Sequence, residues 1–240
     1  MICRLYLEHA LQLGSPVTLP SDQAHYLRQV MRLQIGDPVI LFNGRGGEYS
    51  SHIEQLSKSL TQCMVSSFSD INRELSYGLH VVQAACRSEK IENVLQKSTE
   101  LGAASFQIVR SERSSLQLNS DKRKKRLDRW RKIIIEAAEQ SGRTQIPELT
   151  WHDSLASLSN SGFSVVLHPH EAQDWNEMKP ELITAPGITL AIGPEGGWSS
   201  RDLEKFKTLN FQPMTFGIRI LRTETAAPAL LAAIQAIRND

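Results

Sequence analysis

The chain has 240 residues, 40% of them hydrophobic and 22% charged, with 27 Lys and Arg against 26 Asp and Glu. That is an ordinary globular composition, long enough for one large domain or two modest ones, and no apolar run reaches the ~20 residues of a membrane helix. The first eight residues lack a signal peptide's apolar core, and Cys3, Cys63 and Cys86 form no CxxC pair, so the expectations are a cytoplasmic location, no disulfide framework, no structural metal and no membrane.

Residues 1–72 carry five basic and six acidic side chains and read as short strands with frequent turns. Ser21 to Leu33 predicts a short helix with Ser21 as its N-cap. Asp37-Pro38 opens a strand over Val39-Ile40-Leu41-Phe42, and Asn43-Gly44-Arg45-Gly46-Gly47 ends it as a turn. Gln62 to Val65 is another short strand. A small, mostly β domain is expected here. From about residue 78, strands alternate with helices. Leu79 to Ala85 reads as a strand, and Ile91, Val94, Leu95 and Ser98 take helical spacing up to a stop at Gly102. Phe106 to Val109 is a strand, followed by an amphipathic helix through Leu127, Trp130, Ile133, Ile134, Ala137 and Ala138. Ser164 to His168 and Ile188 to Ile192 are near-continuous apolar runs, as buried parallel strands are. The last helix runs from about Thr225 to Arg238, with Pro228 expected in its first turn, where proline is tolerated. This alternation predicts an α/β fold with a mainly parallel sheet.

Two loops after late strands carry the chemistry. Gly193-Pro194-Glu195-Gly196-Gly197 follows a strand and precedes Ser199, a cap candidate with Asp202 three residues on. It matches neither a P-loop nor GxGxxG, so a tight structural turn competes with a ligand loop. Phe216 to Ala226 packs Arg219, Arg222, Glu224, Thr223 and Thr225 around apolar Ile220 and Leu221, just before a helix N-terminus. Such a terminus favours anions, and Arg can grip carboxylate or phosphate; a surface pair between Arg222 and Glu224 is the alternative. His168 and His170 lack metal-ligand spacing and read as loop residues.

Positive charge gathers in one stretch: residues 122–132 hold eight basic side chains and one acidic. A solvated helix face competes with a phosphate-binding one, to which Arg110, Arg113 and Arg143 could contribute.

These segments together resemble the family of 16S ribosomal RNA uridine-N3 methyltransferases in the SPOUT superfamily. The resemblance runs through Arg87-Ser88-Glu89-Lys90, Gln96 to Gly102, Ser111-Glu112-Arg113-Ser114, Glu136 to Arg143 and Ile146-Pro147. It continues in Leu167-His168-Pro169, Ile192 to Gly197 and Ile220 to Ala226, while His25 to Arg32 and Gly36-Asp37 are similar to the family's small β domain. Ile218, Trp198 and Asp202 depart from the usual residues at their places.

The resemblance implies a PUA-like β-barrel over 1–72 and a SPOUT α/β domain with a deep trefoil knot over 73–240, working as a homodimer on the small ribosomal subunit. It implies S-adenosylmethionine as cofactor, held by Leu167, His168, Pro169, Ile192, Gly193, Pro194, Glu195, Gly196, Gly197, Phe216, Gly217, Ile220, Leu221, Arg222, Thr225 and Ala226. The expected reaction is methylation of a uridine N3 in the decoding region of 16S rRNA. Arg222 is the candidate to stabilise the uridine anion, with Glu224 and Glu195 as candidate bases. Arg28, Arg32, Arg113, Lys122, Arg123, Lys124, Lys125, Arg126, Arg129 and Arg143 are the candidate RNA contacts. A non-catalytic RNA-binding assembly factor and a ribose 2′-O-methyltransferase are the rival readings.

Overall fold

The computed structural model describes residues 2–170 and 172–239. The chain divides into two compact units, one formed by the chain up to Glu74 together with Ala138–Ile146, the other by Leu75–Ala137 and the chain from Pro147 on.

In the first unit, β1 (Cys3–Tyr6), β2 (Pro16–Thr18), α1 (Ser21–His25), β3 (Pro38–Phe42), β4 (Glu48–Leu56) and β5 (Thr61–Ser69) follow in order. The strands form one five-stranded sheet in the order β1-β3-β4-β5-β2, with β1 and β3 parallel and the other pairs antiparallel. Its core is aliphatic: Leu5, Leu7, Leu27, Val39, Leu41, Ile53 and Val65 are buried together with Cys3 and Cys63. In β4 the pairing register shifts at Ser50/Ser51 and again at Ile53/Gln55, irregularities of the kind that add local twist.

The helix expected over Ser21 to Leu33 is shorter and differently capped. Pro20 is its N-cap, its carbonyl accepting from Ala24 N–H at 2.9 Å, and Ser21 is the first helical residue. After His25 the backbone widens into a π-helical turn over Tyr26–Val30, and Arg32 takes a left-handed φ of 54°.

A buried charge cluster fixes this unit. Glu48, with a side chain 9% exposed, pairs with both Arg4 and Arg73. Burial alone would raise the Glu48 pKa, but the two guanidinium groups outweigh it and hold the carboxyl below its ordinary value. Arg4 also donates to the Arg143 carbonyl at 3.0 Å, and Arg73 to that of Gly142 at 3.1 Å. Arg143 corrects an expectation. It is 5% exposed and its guanidinium lies on Glu74, whose other oxygen accepts the N–H groups of Thr144 and Gln145. Burial against that carboxylate removes it from any RNA-facing surface.

The second unit runs β6 (Gly78–Ala84), α2 (Ser88–Glu100), β7 (Ser105–Val109), α3 (Ser120–Ser141), β8 (Glu148–His152), β9 (Phe163–Leu167), β10 (Gln173–Asp174), α4 (Trp175–Thr184), β11 (Gly187–Ile192), α5 (Ser200–Thr208), β12 (Gln212–Thr215) and α6 (Thr223–Arg238). The last four residues of α3 belong to the first unit's span. The seven strands pair in the order β10-β12-β9-β11-β6-β7-β8, all parallel. The predicted α/β alternation is present, and Ile91, Val94, Leu95 and Ser98 are the buried face of α2, as their spacing requires. β11 is buried at all six positions. Trp198, Phe206 and Phe211 pack edge to face in the core, with centroids 4.7 and 5.0 Å apart.

Helix α6 begins at Thr223, two residues earlier than expected, because Arg222 has the extended backbone of an N-cap. Pro228 is therefore the sixth helical residue rather than one of the first turn, and it withholds the N–H that the Glu224 carbonyl would accept.

The three cysteines are buried free thiols. Burial pushes Cys3 and Cys63 up to about 11 and Cys86 up to about 12. Among the described residues no helix is long and apolar enough to cross a membrane, and no cluster of three or more His, Cys, Asp or Glu could hold a metal ion.

Candidate active site

The strand order explains where the site forms. β11 and β12 flank β9, so three adjacent parallel strands end side by side and the chain leaves each through a loop. Carboxyl ends of parallel strands are where such sheets receive ligands. The loops after Leu167, Ile192 and Thr215 line one cavity of about 620 Å³, within the range of small-molecule sites.

Each loop is held by local chemistry. After β9, His168 N–H reaches the Met214 carbonyl at 3.0 Å and continues the pairing with β12. After β11, the Gly197 N–H closes a turn on the Pro194 carbonyl at 2.9 Å, and Gly197 has a φ of 68°, a backbone that only glycine adopts without strain. Ser199 and Asp202 then form the expected capping box at the start of α5. A Cβ on Gly193 would stand 3.3 Å from Trp198 Nε1, so the indole backs this loop closely.

A hydrogen-bonded bolt joins the second loop to the third. Fully buried Gln83, on β6, donates from Nε2 to Thr223 Oγ1 at 2.9 Å, and Thr223 donates to the Gly193 carbonyl at 2.7 Å. The first residue of α6 is thereby tied to the first residue of the glycine loop. From the rim, Arg113 donates to the Gly196 carbonyl at 2.9 Å.

The cavity wall contains Leu167, His168, Pro169, Ile192, the whole Gly193–Gly197 stretch, Phe216, Gly217, Ile220, Leu221, Arg222 and Ala226. Thr225 is exposed and does not line it; Thr223, two residues earlier, does. Of the proposed catalytic trio, Arg222 and Glu195 line the cavity and Glu224 does not. Glu224 faces Lys90 at 3.4 Å, and Lys90 also stands 3.4 Å from Glu195. Lys90 lines the cavity too, and no charge count or loop motif singled it out. Burial would raise the Glu195 pKa, but backbone N–H groups and the Lys90 ammonium outweigh it and leave the carboxyl below its ordinary value.

The basic stretch on α3 divides into two kinds of side chain. Arg123 pairs with Asp153 at 2.7 Å, Arg129 takes Glu92 through two bonds of 2.9 and 2.8 Å, and Arg126 reaches Ser88 Oγ at 2.8 Å. Lys122, Lys124 and Lys125 are exposed and form no ion pair among the described residues. In the small-sheet unit, Arg28 is spent on the Ser57 carbonyl at 2.6 Å.

The family model described as "RNA methyltransferase domain" matches residues 73–235, and that described as "RNA methyltransferase PUA domain" matches 19–62. The chain belongs to the RNA methyltransferase family. Within it, the ribosomal RNA small subunit methyltransferase E of Synechocystis sp. is 32% identical, covering 99% of this chain and 78% of that protein. A Legionella pneumophila methyltransferase solved with bound SAM aligns at a TM-score of 0.92 and 33% identity, covering 98% of each chain. The ribosomal RNA small subunit methyltransferase E of Neisseria gonorrhoeae, bound to S-adenosyl methionine, aligns at 0.89 and 29%, covering 99% of this chain and 98% of that one. In this methyltransferase the matched domain contains every residue that lines the cavity.

Proposed function

We propose that the protein transfers a methyl group from S-adenosylmethionine to N3 of a uridine in the decoding region of 16S rRNA. The observation that carries this reading is the cavity at the ends of β9, β11 and β12, in a chain that aligns over nearly its full length with SAM-bound methyltransferases.

The residues present suit the cofactor. Apolar Leu167, Ile192, Leu221 and Ala226 offer walls for an adenine, beside glycine-loop backbone groups that can read its edge. Trp198 Nε1 is a buried donor without an acceptor among the described residues, so the wall retains an unspent N–H. The bound cofactor supplies a sulfonium-activated methyl group, which leaves the protein the tasks of orientation and charge. Arg222 meets the negative charge that spreads onto O2 and O4 when the uridine loses its N3 proton. Glu195, ionised at neutral pH, accepts hydrogen bonds or the proton at the same wall. Because N3 lies on the pairing edge, the target base must be unpaired or flipped out before it enters.

Around this centre, residues 1–72 act as a PUA-like barrel and 73–240 as a SPOUT domain with a trefoil knot, in a cytoplasmic homodimer. The barrel is supported by the five-stranded sheet with irregular β4, and the knot by the order in which β11 and β12 flank β9. Lys122, Lys124 and Lys125 are the cations best placed to hold rRNA phosphates, since their charge is unspent.

Calorimetric titration with S-adenosylmethionine tests the pocket. Saturable binding by the wild type is expected, and its loss in Gly193→Trp, where the new side chain meets Trp198. Nucleoside mass analysis of small subunits after reaction should give 3-methyluridine. A 2′-O-methyl product would replace the proposed reaction with its ribose rival, and no product beside intact cofactor binding would favour the assembly factor.

A further inference from the structure

Lys90 is in an unfavourable place for a cation. It is the third residue of α2, and the first turn of a helix carries partial positive charge and favours acids. Its side chain is only 20% exposed, so water offers limited compensation. What offsets this is a pair of carboxylates from two other elements: Glu195 of the glycine loop and Glu224 of the first turn of α6, each 3.4 Å from Nζ. Glu224 Oε2 is buried and makes no aligned hydrogen bond, so the ammonium stands at ion-pair distance with N–H groups in reserve.

The arrangement has a simple electrostatic logic. Two anions on separate segments would repel each other at the pocket wall, and one of them would take up a proton or swing away. A single ammonium between them removes both outcomes. We propose that Lys90 is a positioning residue for methyl transfer, its ammonium tying Glu195 to Glu224 so that the glycine loop and the start of α6 keep a fixed spacing at the cavity. The Gln83–Thr223–Gly193 bolt joins the same two segments through the Gln83 and Thr223 side chains and the Gly193 carbonyl, while Lys90 joins their carboxylates. The Lys90 ammonium is also among the groups that hold the Glu195 carboxyl low.

This inference rests on the reading of the cavity as the methyl-transfer site, and the test separates the two. Lys90→Met and Lys90→Arg are compared with the wild type on small ribosomal subunits, reading kcat, KM for S-adenosylmethionine and thermal midpoint. For K90M, kcat should fall by about 30-fold while KM changes by less than about threefold, the pattern of an interaction that matters to the transition state rather than to cofactor binding. K90R keeps the charge and should recover to within about fivefold of the wild type, short of full recovery because a planar guanidinium does not replace an ammonium. The thermal midpoint should be unchanged in both.

A kcat for K90M close to that of the wild type overturns the proposal. So does an equal loss in K90M and K90R, which would show that charge is not what matters, and so does a fall in activity that follows a fall in thermal midpoint. If K90M does not fold, Lys90→Gln, which keeps a polar head without charge, takes its place under the same criteria. A wild type that transfers no methyl group overturns the functional reading itself and the role of Lys90 with it; an active wild type with an active K90M overturns only the role.

Discussion

The two units each contain a cluster of three charged side chains, with opposite stoichiometry. In the small-sheet unit two cations, Arg4 and Arg73, surround one carboxylate, Glu48, and spend further N–H groups on backbone carbonyls. In the parallel-sheet unit one cation, Lys90, stands between two carboxylates at 3.4 Å from each, on the wall of a cavity. The first cluster is aligned, both guanidinium groups donating to Glu48 and to backbone carbonyls, although Arg4 Nε is buried without an acceptor among the described residues; its role is structural. The second is looser and keeps hydrogen-bonding capacity at the cavity wall. Alignment, rather than the presence of charge, separates the structural cluster from the one at the cavity.

Breaking the aligned cluster should have the largest effect. Glu48→Ala leaves two guanidinium groups, one of them mostly buried, without their carboxylate, and should cost about 3 kcal/mol in chemical denaturation. Cofactor affinity of the folded protein should not change. Because Glu48 titrates below its ordinary 4.5 in the folded chain, its contribution is complete above that value and lost as pH falls through the lower folded pKa. The stability gap between wild type and Glu48→Gln should therefore be full at neutral pH and close in acid, and a gap independent of pH would contradict the assignment.

Next comes the chemical side. Arg222→Ala should lower methyl transfer by about 100-fold, as loss of one anion-stabilising donor does, with little change in the calorimetric affinity for the cofactor. Near-normal turnover would remove Arg222 from the mechanism.

The smallest effect tests the rule on α3. Replacing Lys122, Lys124 and Lys125 with Gln should reduce the slope of log affinity for small-subunit RNA against log salt by about 2, at about 0.7 counterion per lost cation on a single strand. Neutralising Arg123, Arg126 and Arg129, already engaged with Asp153, Glu92 and Ser88, should change the slope less. Equal slopes in both sets would mean that partnered and unpartnered cations serve alike.

What the sequence made legible follows the range of each interaction. The buried face of α2 and the capping box of α5 rest on spacings of three and four residues, and both stand as read. β4 was not foreseen because its buried positions are Glu48, Ser51 and Ile53, only one of them large and apolar. Arg143 was grouped with the basic face because its partner Glu74 lies 69 residues away, beyond any local pattern. Two loops of the cavity stand out by their glycines and paired polar residues, with a structural turn or surface ion pair as the alternative, and the third, Leu167-His168-Pro169, only by the family resemblance. Lys90 is named only within the Arg87–Lys90 stretch of the resemblance and carries no role there, since its meaning depends on two carboxylates more than 100 residues downstream. The sheet order that brings them together, β12-β9-β11-β6, is not written in the order of the chain.

The buried thiols have a practical consequence for work at the bench. With Cys3, Cys63 and Cys86 shielded and held near 11 or 12, almost none of the reactive thiolate exists at neutral pH. A cysteine placed at Lys124, on the exposed side of α3, would be the one site open to a maleimide dye. The native protein thus serves as its own unlabelled background, and a fluorophore on that helix could follow RNA arrival without first stripping the chain of its natural sulfur.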